Sequence, residues 1–107
     1  MSDENQTPLP RAFIDLFVPS GAIKPREPRA FIAERHELCE DMAQMLTEHA
    51  QGTRLALGVT EHDVLERVHR GLLAEASVVA VDEAGWVVCR LAELLDWPLP
   101  AWAKKLR

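Results

Sequence analysis

The longest stretch of this chain that has helical spacing and no interrupting residue runs from Arg29 to Gln51. Pro28 precedes it, at a position where a helix tolerates a missing N–H, and Gly52 follows it. Apolar residues three and four positions apart lie on one side of a helix, and the stretch contains seven that fit this spacing: Phe31, Ile32, Leu38, Cys39, Met42, Met45 and Leu46. It therefore predicts an amphipathic helix over residues 29–51, with an apolar face that other segments must cover. For the residues that follow, two interpretations stay open: Leu55 and Leu57 could extend this helix past Gly52 or form an apolar connector.

A second helix is predicted over residues 60–76. Thr60 is a favourable N-cap, and Asp63 three residues later gives a weaker form of the capping box. Gly71 lies in the middle of the segment, where glycine costs about 1 kcal/mol relative to alanine, and a close crossing with another helix would explain it. The predicted inward residues are Val64, Leu65, Val68, Leu72 and Leu73.

A third helix is predicted over residues 82–96, with Asp82 as its cap and Pro98 beyond its end. A last helical turn is predicted over residues 100–106. Between the second and third helices, the branched residues 78, 79 and 81 would suit a strand. No second strand pattern exists to pair with it, so we predict a loop with buried valines.

The N-terminal part is predicted to be a disordered tail over residues 1–9, followed by an arm and linker over residues 10–28. Prolines interrupt this linker, but polar tails do not usually carry two phenylalanines, so Phe13 and Phe17 are expected to dock. The predicted fold is all-α: a small three- to four-helix bundle with an extended N-terminal arm, in which residues 10–107 form a single helical domain.

Charge argues against nucleic acid as a partner. The chain has 17 acidic residues against 12 Lys and Arg, giving a net charge of -5, whereas DNA-binding proteins gain affinity by neutralising phosphates. A helix-turn-helix regulator stays open as an alternative, because the second and third helices have suitable lengths. Its recognition helix would carry Arg90 as its one base, against four acids: Asp82, Glu83, Glu93 and Asp96.

Motifs for enzymatic chemistry are not found. None of the 5 glycines forms part of a phosphate-binding loop, and no serine lies in a nucleophile elbow. His36 with Cys39, and Glu66 with His69, have two-ligand spacings, but neither pair extends to a full metal site. We therefore predict no catalytic residue, no cofactor and no metal, with a small-molecule- or metal-binding bundle as an alternative.

The expected compartment is the cytoplasm. Cys39 and Cys89 both lie on apolar helical faces, which is typical of reduced packing thiols rather than of a disulfide. The N-terminus lacks the basic and apolar regions of a secretory signal. No apolar run approaches the ~18 residues of a membrane span, so no membrane partner is predicted.

Two surfaces are candidates for binding a protein partner or a second copy of the chain. One is the acidic side of the first long helix, with Glu34, Glu37, Asp41 and Glu48. The other is the C-terminal part of the chain, which contains Trp86, Arg90, Trp97 and Trp102. Solvated acids and core tryptophans are the simpler interpretation of both patterns. The preferred function is a non-enzymatic protein-interaction or adaptor module that forms a homodimer or binds another protein.

Several stretches resemble a family of small, uncharacterised proteobacterial proteins that carry the label "ATPase with chaperone activity". They are Leu16–Pro19, Ile23–Pro25, Glu37–Met42, Gly58–Glu61, Val64–Arg67 and Gly85–Val88. The resemblance covers roughly residues 13–97. Because the chain has no phosphate-binding loop, the resemblance implies association with an ATPase encoded elsewhere rather than hydrolysis by this chain.

Overall fold

The described residues of the computed structural model, 8–74 and 77–104, are helical and contain no β-strand. This confirms the predicted all-α class and the small helical bundle. The elements in chain order are α1 (Arg11–Ile14), a 3-10 helix (Asp15–Phe17), α2 (Arg29–Leu57), α3 (Glu61–Leu73), α4 (Val81–Leu95) and α5 (Ala101–Lys104). Within this part of the chain, none of the helices has a stretch long and apolar enough to cross a membrane.

The chain divides into two compact units, Met1–Leu38 and Cys39–Arg107. The sequence predicted one helical domain over residues 10–107, whereas this division falls inside α2. Most of the predicted tail over residues 1–9 lies outside the described residues, as do residues 105–106 of the predicted last turn.

Helix α2 ends at Leu57, so the predicted end at Gln51 is wrong. Gly52 stays helical because one glycine costs only about 1 kcal/mol inside a helix. Gly58 ends the helix instead, because its φ of 65° lies in the left-handed region that glycine adopts without strain.

The buried side of α2 is largely the one predicted, since Ile32 and Cys39 are buried, but two of the seven predicted residues are exposed. Phe31 is 41% exposed and Met45 is 68% exposed, whereas Ala43 and Ala50 are fully buried. Small side chains let neighbouring helices approach closely, which accounts for the burial of two alanines that hydrophobicity alone would rank low.

The first unit is built on aromatic contacts. Phe13 is fully buried, and its ring centroid lies 5.6 Å from that of Phe17 and 5.2 Å from that of His36. Arg26 lies over the Phe17 ring at 5.2 Å, and its backbone N–H donates to the Phe17 carbonyl at 2.7 Å. The expected docking of the two phenylalanines is confirmed, and residues of the same unit provide these contacts.

The core of the second unit is centred on α4. Eight of its residues are buried, on nearly all sides of the helix: Glu83, Ala84, Gly85, Val87, Val88, Cys89, Leu91 and Ala92. Val88, Leu91 and Ala92 pack with Ala50 of α2 and with three residues of α3, namely Val64, Leu65 and Val68. The helix that the rest of this unit surrounds is therefore α4.

The start of α3 is confirmed, because the Thr60 hydroxyl accepts the Asp63 N–H at 3.1 Å. The start of α4 differs from the prediction: the helix begins at Val81, and Asp82 is not its cap. The buried Glu83 carboxylate instead accepts the backbone N–H of Ala80 at 2.9 Å, which is one half of a capping box.

Helix α3 ends at Leu73, and residues 75–76 of the helix predicted over 60–76 lie outside the described residues. Three valines were predicted to be buried in the loop that follows. Val79 is buried, whereas Val78 is 61% exposed and Val81 is 75% exposed. Helix α4 ends in a left-handed residue, Asp96, with φ of 58°. The Trp97 N–H then donates to the Ala92 carbonyl at 2.9 Å, in a Schellman arrangement that turns the chain back toward the core.

Candidate functional site

An open apolar groove lies between α2 and α3 in the second unit, with a volume of about 190 Å³. Its apolar lining comes from Leu46 of α2 and from Val64, Val68 and Leu72 of α3. His49, Thr53 and Arg67 contribute the polar atoms of the lining. The groove is thus an apolar strip with polar side chains along it, which is the usual composition of a protein-binding surface.

Gly71 also lines this groove. A Cβ added there would meet no atom within 4 Å, and Gly71 is not among the residues with positive φ. The predicted explanation, a close helix crossing at Gly71, is therefore wrong. Neither backbone conformation nor packing requires glycine here, and its one structural consequence is more open space in the groove.

Arg67 is held on the surface of α3 by an ion pair with Asp63, with 2.8 Å between Nε and Oδ2. Both side chains are partly exposed, at 45% and 34%. Exposed pairs one helical turn apart contribute only about 0.3–0.5 kcal/mol. Arg67 can therefore exchange this carboxylate for one on a bound partner at little cost in stability.

A second concave surface, of about 350 Å³, is lined by Gln51, Arg54, Leu55 and Trp97. Leu55 is 80% exposed. Of the tryptophans predicted to bind a partner, Trp97 is thus at an open surface, although it also packs against the core cluster.

The other predicted tryptophans are not gathered into this surface. Trp86 is half-buried on α4. Trp102 packs against the core cluster and stacks on His69, with ring centroids 5.2 Å apart and an interplanar angle of 18°. Burial lowers the pKa of His69, which favours the neutral imidazole in this stack.

Arg90, also predicted to bind a partner, forms a bidentate ion pair with Glu40 of α2. Nε lies 2.8 Å from Oε1 and Nη2 lies 3.0 Å from Oε2, while Nη1 contacts Glu93 at 3.1 Å. The hydrogen bond to Glu40 raises the pKa of Arg90 above its ordinary value. Gln44 donates to the same Glu40 carboxylate at 2.8 Å, so this group is part of a network joining α2 to α4.

We expect a double-mutant cycle with Arg90→Ala and Glu40→Ala to give a coupling energy of about 1–2 kcal/mol, because bidentate, partly buried pairs exceed surface pairs. Urea denaturation of the wild type, both single variants and the double variant measures it. The matched control is the same cycle on Arg67 and Asp63, for which we expect about 0.3–0.5 kcal/mol. Equal coupling energies in the two cycles would contradict the claim that the Arg90–Glu40 pair is stronger than an exposed ion pair.

The acidic residues of the predicted stripe are all exposed. Glu34 and Glu37 belong to the first unit, whereas Asp41 and Glu48 belong to the second.

A metal site would need several ligands close together. The described part of the chain contains no group of three or more His, Cys, Asp or Glu side chains that could hold a metal ion.

The two cysteines are buried, and neither forms a disulfide. The Cys89 thiol donates a weak hydrogen bond to the Ala103 carbonyl, with 3.6 Å between Sγ and O, and so contacts α5. Burial of this kind makes a thiol a packing group rather than a nucleophile.

No protein-family model matches this chain, and no curated protein or solved structure is significantly similar to it. The resemblance to the proteobacterial family therefore stays a prediction. The α2–α3 groove was missed by sequence reasoning, which rightly expected its apolar residues to face the core. Val64 and Val68 belong to the core cluster, and Leu46 and Leu72 pack against it. The one signal in the sequence was Gly71, a helix-interior glycine.

Proposed function

We propose that this chain is a non-enzymatic protein-interaction module, and that its α2–α3 groove binds the apolar face of an amphipathic helix from another protein. The observation that carries the proposal is the open apolar strip between two helices, bordered by polar side chains. Helix-in-groove recognition uses this arrangement, with apolar anchors one turn apart entering the strip.

The size of the groove favours a helix over a small molecule. Small-molecule pockets usually enclose about 300–1,000 Å³ and bury most of their ligand. The groove has about 190 Å³ and is open, which suits a few apolar side chains of a partner rather than a whole cofactor.

The burial of α4 favours protein binding over helix-turn-helix DNA binding. The second helix of such a motif must enter the major groove with an exposed face. Helix α4 has eight buried residues, and its only base, Arg90, is paired with Glu40 and Glu93. The net charge of -5 adds to this argument.

We also propose that the module works in a bacterial cytoplasm. Two buried cysteines that form no disulfide fit a reducing compartment. If the family resemblance holds, the partner is an ATPase encoded elsewhere. This chain has no phosphate-binding loop, so its contribution would be to bind that ATPase through the groove.

Filling the groove tests this function. We expect Gly71→Leu to weaken binding of the natural partner at least tenfold, because leucine at position 71 occupies space that the partner's side chains would use. The chain itself should be stabilised slightly, since leucine favours helix over glycine by roughly 0.8 kcal/mol. Proteins captured from host lysate are identified, and each is then titrated against wild type and variant by isothermal calorimetry.

Glu66→Leu is the matched control, because it adds the same side chain to an exposed position of α3 that does not line the groove. Its partner affinity should equal that of the wild type. Unchanged affinity in Gly71→Leu would overturn the groove as the binding site, and equal losses in both variants would point to general disturbance of α3.

A further inference from the structure

The charge of the α2–α3 groove is opposite to that of the chain as a whole. Its polar lining consists of His49, Thr53 and Arg67, and none of the described residues that line it is a carboxylate. The whole chain, in contrast, has 17 acidic residues against 12 Lys and Arg. A helix that enters the groove therefore meets a guanidinium and no acidic side chain in the lining.

The Arg67 guanidinium has hydrogen-bond donors left for a ligand. Its ion pair with Asp63 uses Nε, which lies 2.8 Å from Oδ2. Within the part of the chain that the structure describes, Nη1 and Nη2 form no hydrogen bond. These two nitrogens form the planar fork through which an arginine binds both oxygens of a carboxylate.

We propose that the partner of the groove is an acidic amphipathic helix. Its apolar side chains enter the strip between α2 and α3, and a Glu or Asp beside them accepts hydrogen bonds from Nη1 and Nη2 of Arg67. The inference rests on the proposed function, since it names the chemical class of helix that the same groove binds. Charge complementarity is the argument for this class.

The position of Arg67 along the groove places the carboxylate beside the apolar anchors. The α3 side of the lining extends from Val64 to Leu72, which is about 12 Å along a helix axis. A partner helix covers this length in about two turns, so its anchors recur three or four residues apart. Arg67 lies between the two ends of the strip, so an acid on the flank of the anchor stripe reaches it.

The groove should also reject a basic helix. A lysine on the same flank would face the Arg67 guanidinium, and a like charge at a contact is unfavourable. The net charge of -5 opposes an acidic ligand at long range. At physiological ionic strength, however, charges are screened over about 8 Å. The contact with Arg67 therefore outweighs the distant acids.

Two synthetic peptides of about 18 residues, long enough to form a helix, test the preference. Both carry leucines at the anchor spacing; one has Glu on both flanks of this stripe, and the other has Lys at the same positions. Glu and Lys have similar helix propensities, so the peptides differ in charge alone. Fluorescence anisotropy with the full chain at about 0.15 M salt should show about tenfold tighter binding of the acidic peptide.

Variants of α3 test whether Arg67 makes the selection. Arg67→Glu should reverse the preference, so that the basic peptide binds more tightly. Arg70→Glu is the matched control, because it makes the same charge change at an exposed position of α3 that does not line the groove. It should keep the preference for the acidic peptide. Asp63→Asn should strengthen acidic-peptide binding, because it removes the carboxylate that competes for the guanidinium while keeping the backbone N–H that caps α3.

Gly71→Leu separates this inference from the proposed function. If it abolishes the binding of both peptides while the wild type prefers neither, the groove binds helices and the acidic class is overturned. A wild type that binds neither peptide would also overturn the acidic class, whereas the proposed function is tested separately on the natural partner. If Arg67→Glu and Arg70→Glu shift the preference equally, net charge and not Arg67 makes the selection, and the inference fails.

Discussion

Replacement of Leu91 by alanine is expected to lower the free energy of unfolding by about 3 kcal/mol, the cost of deleting a fully buried leucine from a core that collapses only partly. Leu91 is 0% exposed and contributes to the cluster that joins α2, α3 and α4. Since domains of this size have a total stability of about 5–15 kcal/mol, the loss is a large fraction. Guanidinium denaturation followed by circular dichroism measures it.

The control for Leu91→Ala is Leu55→Ala, which deletes the same atoms from a side chain that is 80% exposed. We expect a change within about 0.5 kcal/mol, as is usual for surface positions. If both substitutions cost the same, α4 would not be the centre of the second unit's core.

The three long helices could be predicted because their apolar residues recur at one helical turn and because Thr60 gives α3 a specific start. Periodicity, however, does not decide which glycine ends a helix. Gly52 and Gly58 are equally suited to stop α2 by residue type, and only the chain's return toward α3 selects Gly58, with its φ of 65°. Tertiary packing makes that selection, and the local sequence alone does not determine the packing.

The same limit applies to the buried side of α2. Hydrophobicity alone ranks Phe31 and Met45 above Ala43 and Ala50, but the alanines are buried and the larger residues are exposed. Where two helix axes come closest, close packing favours small side chains. The position of that point depends on α3 and α4, so it could not be found from the helix by itself.

The candidate sites depend even more on tertiary packing than the helix boundaries do. The Arg90–Glu40 pair joins residues 50 positions apart, and no local pattern links them. The groove depends on the separation of α2 and α3, which is a property of the packed unit. Sequence reasoning could identify Gly71 as unusual, yet it assigned the wrong cause, because a tight crossing and an open groove both accommodate glycine.

Replacement of Phe13 by alanine is expected to destabilise the first unit by about 3–5 kcal/mol, the usual cost of deleting a buried phenylalanine. The ring is fully buried, and its contacts with Phe17 and His36 add about 0.5–1.5 kcal/mol each. Hydrogen exchange provides a local measurement, because the Arg26 amide donates to the Phe17 carbonyl at 2.7 Å. We expect this amide to exchange about 150- to 4,000-fold faster in the variant.

Phe31→Ala is the matched control, since it deletes the same side chain from a position that also touches Phe17, with ring centroids 6.1 Å apart. Phe31 is 41% exposed, so its removal leaves a surface depression that water fills rather than a closed cavity. The loss in free energy of unfolding should therefore stay near 1 kcal/mol. The two variants therefore separate burial from aromatic contact as the source of stability. Equal acceleration of the Arg26 amide in both would mean that ring contacts, not the burial of Phe13, hold this unit together.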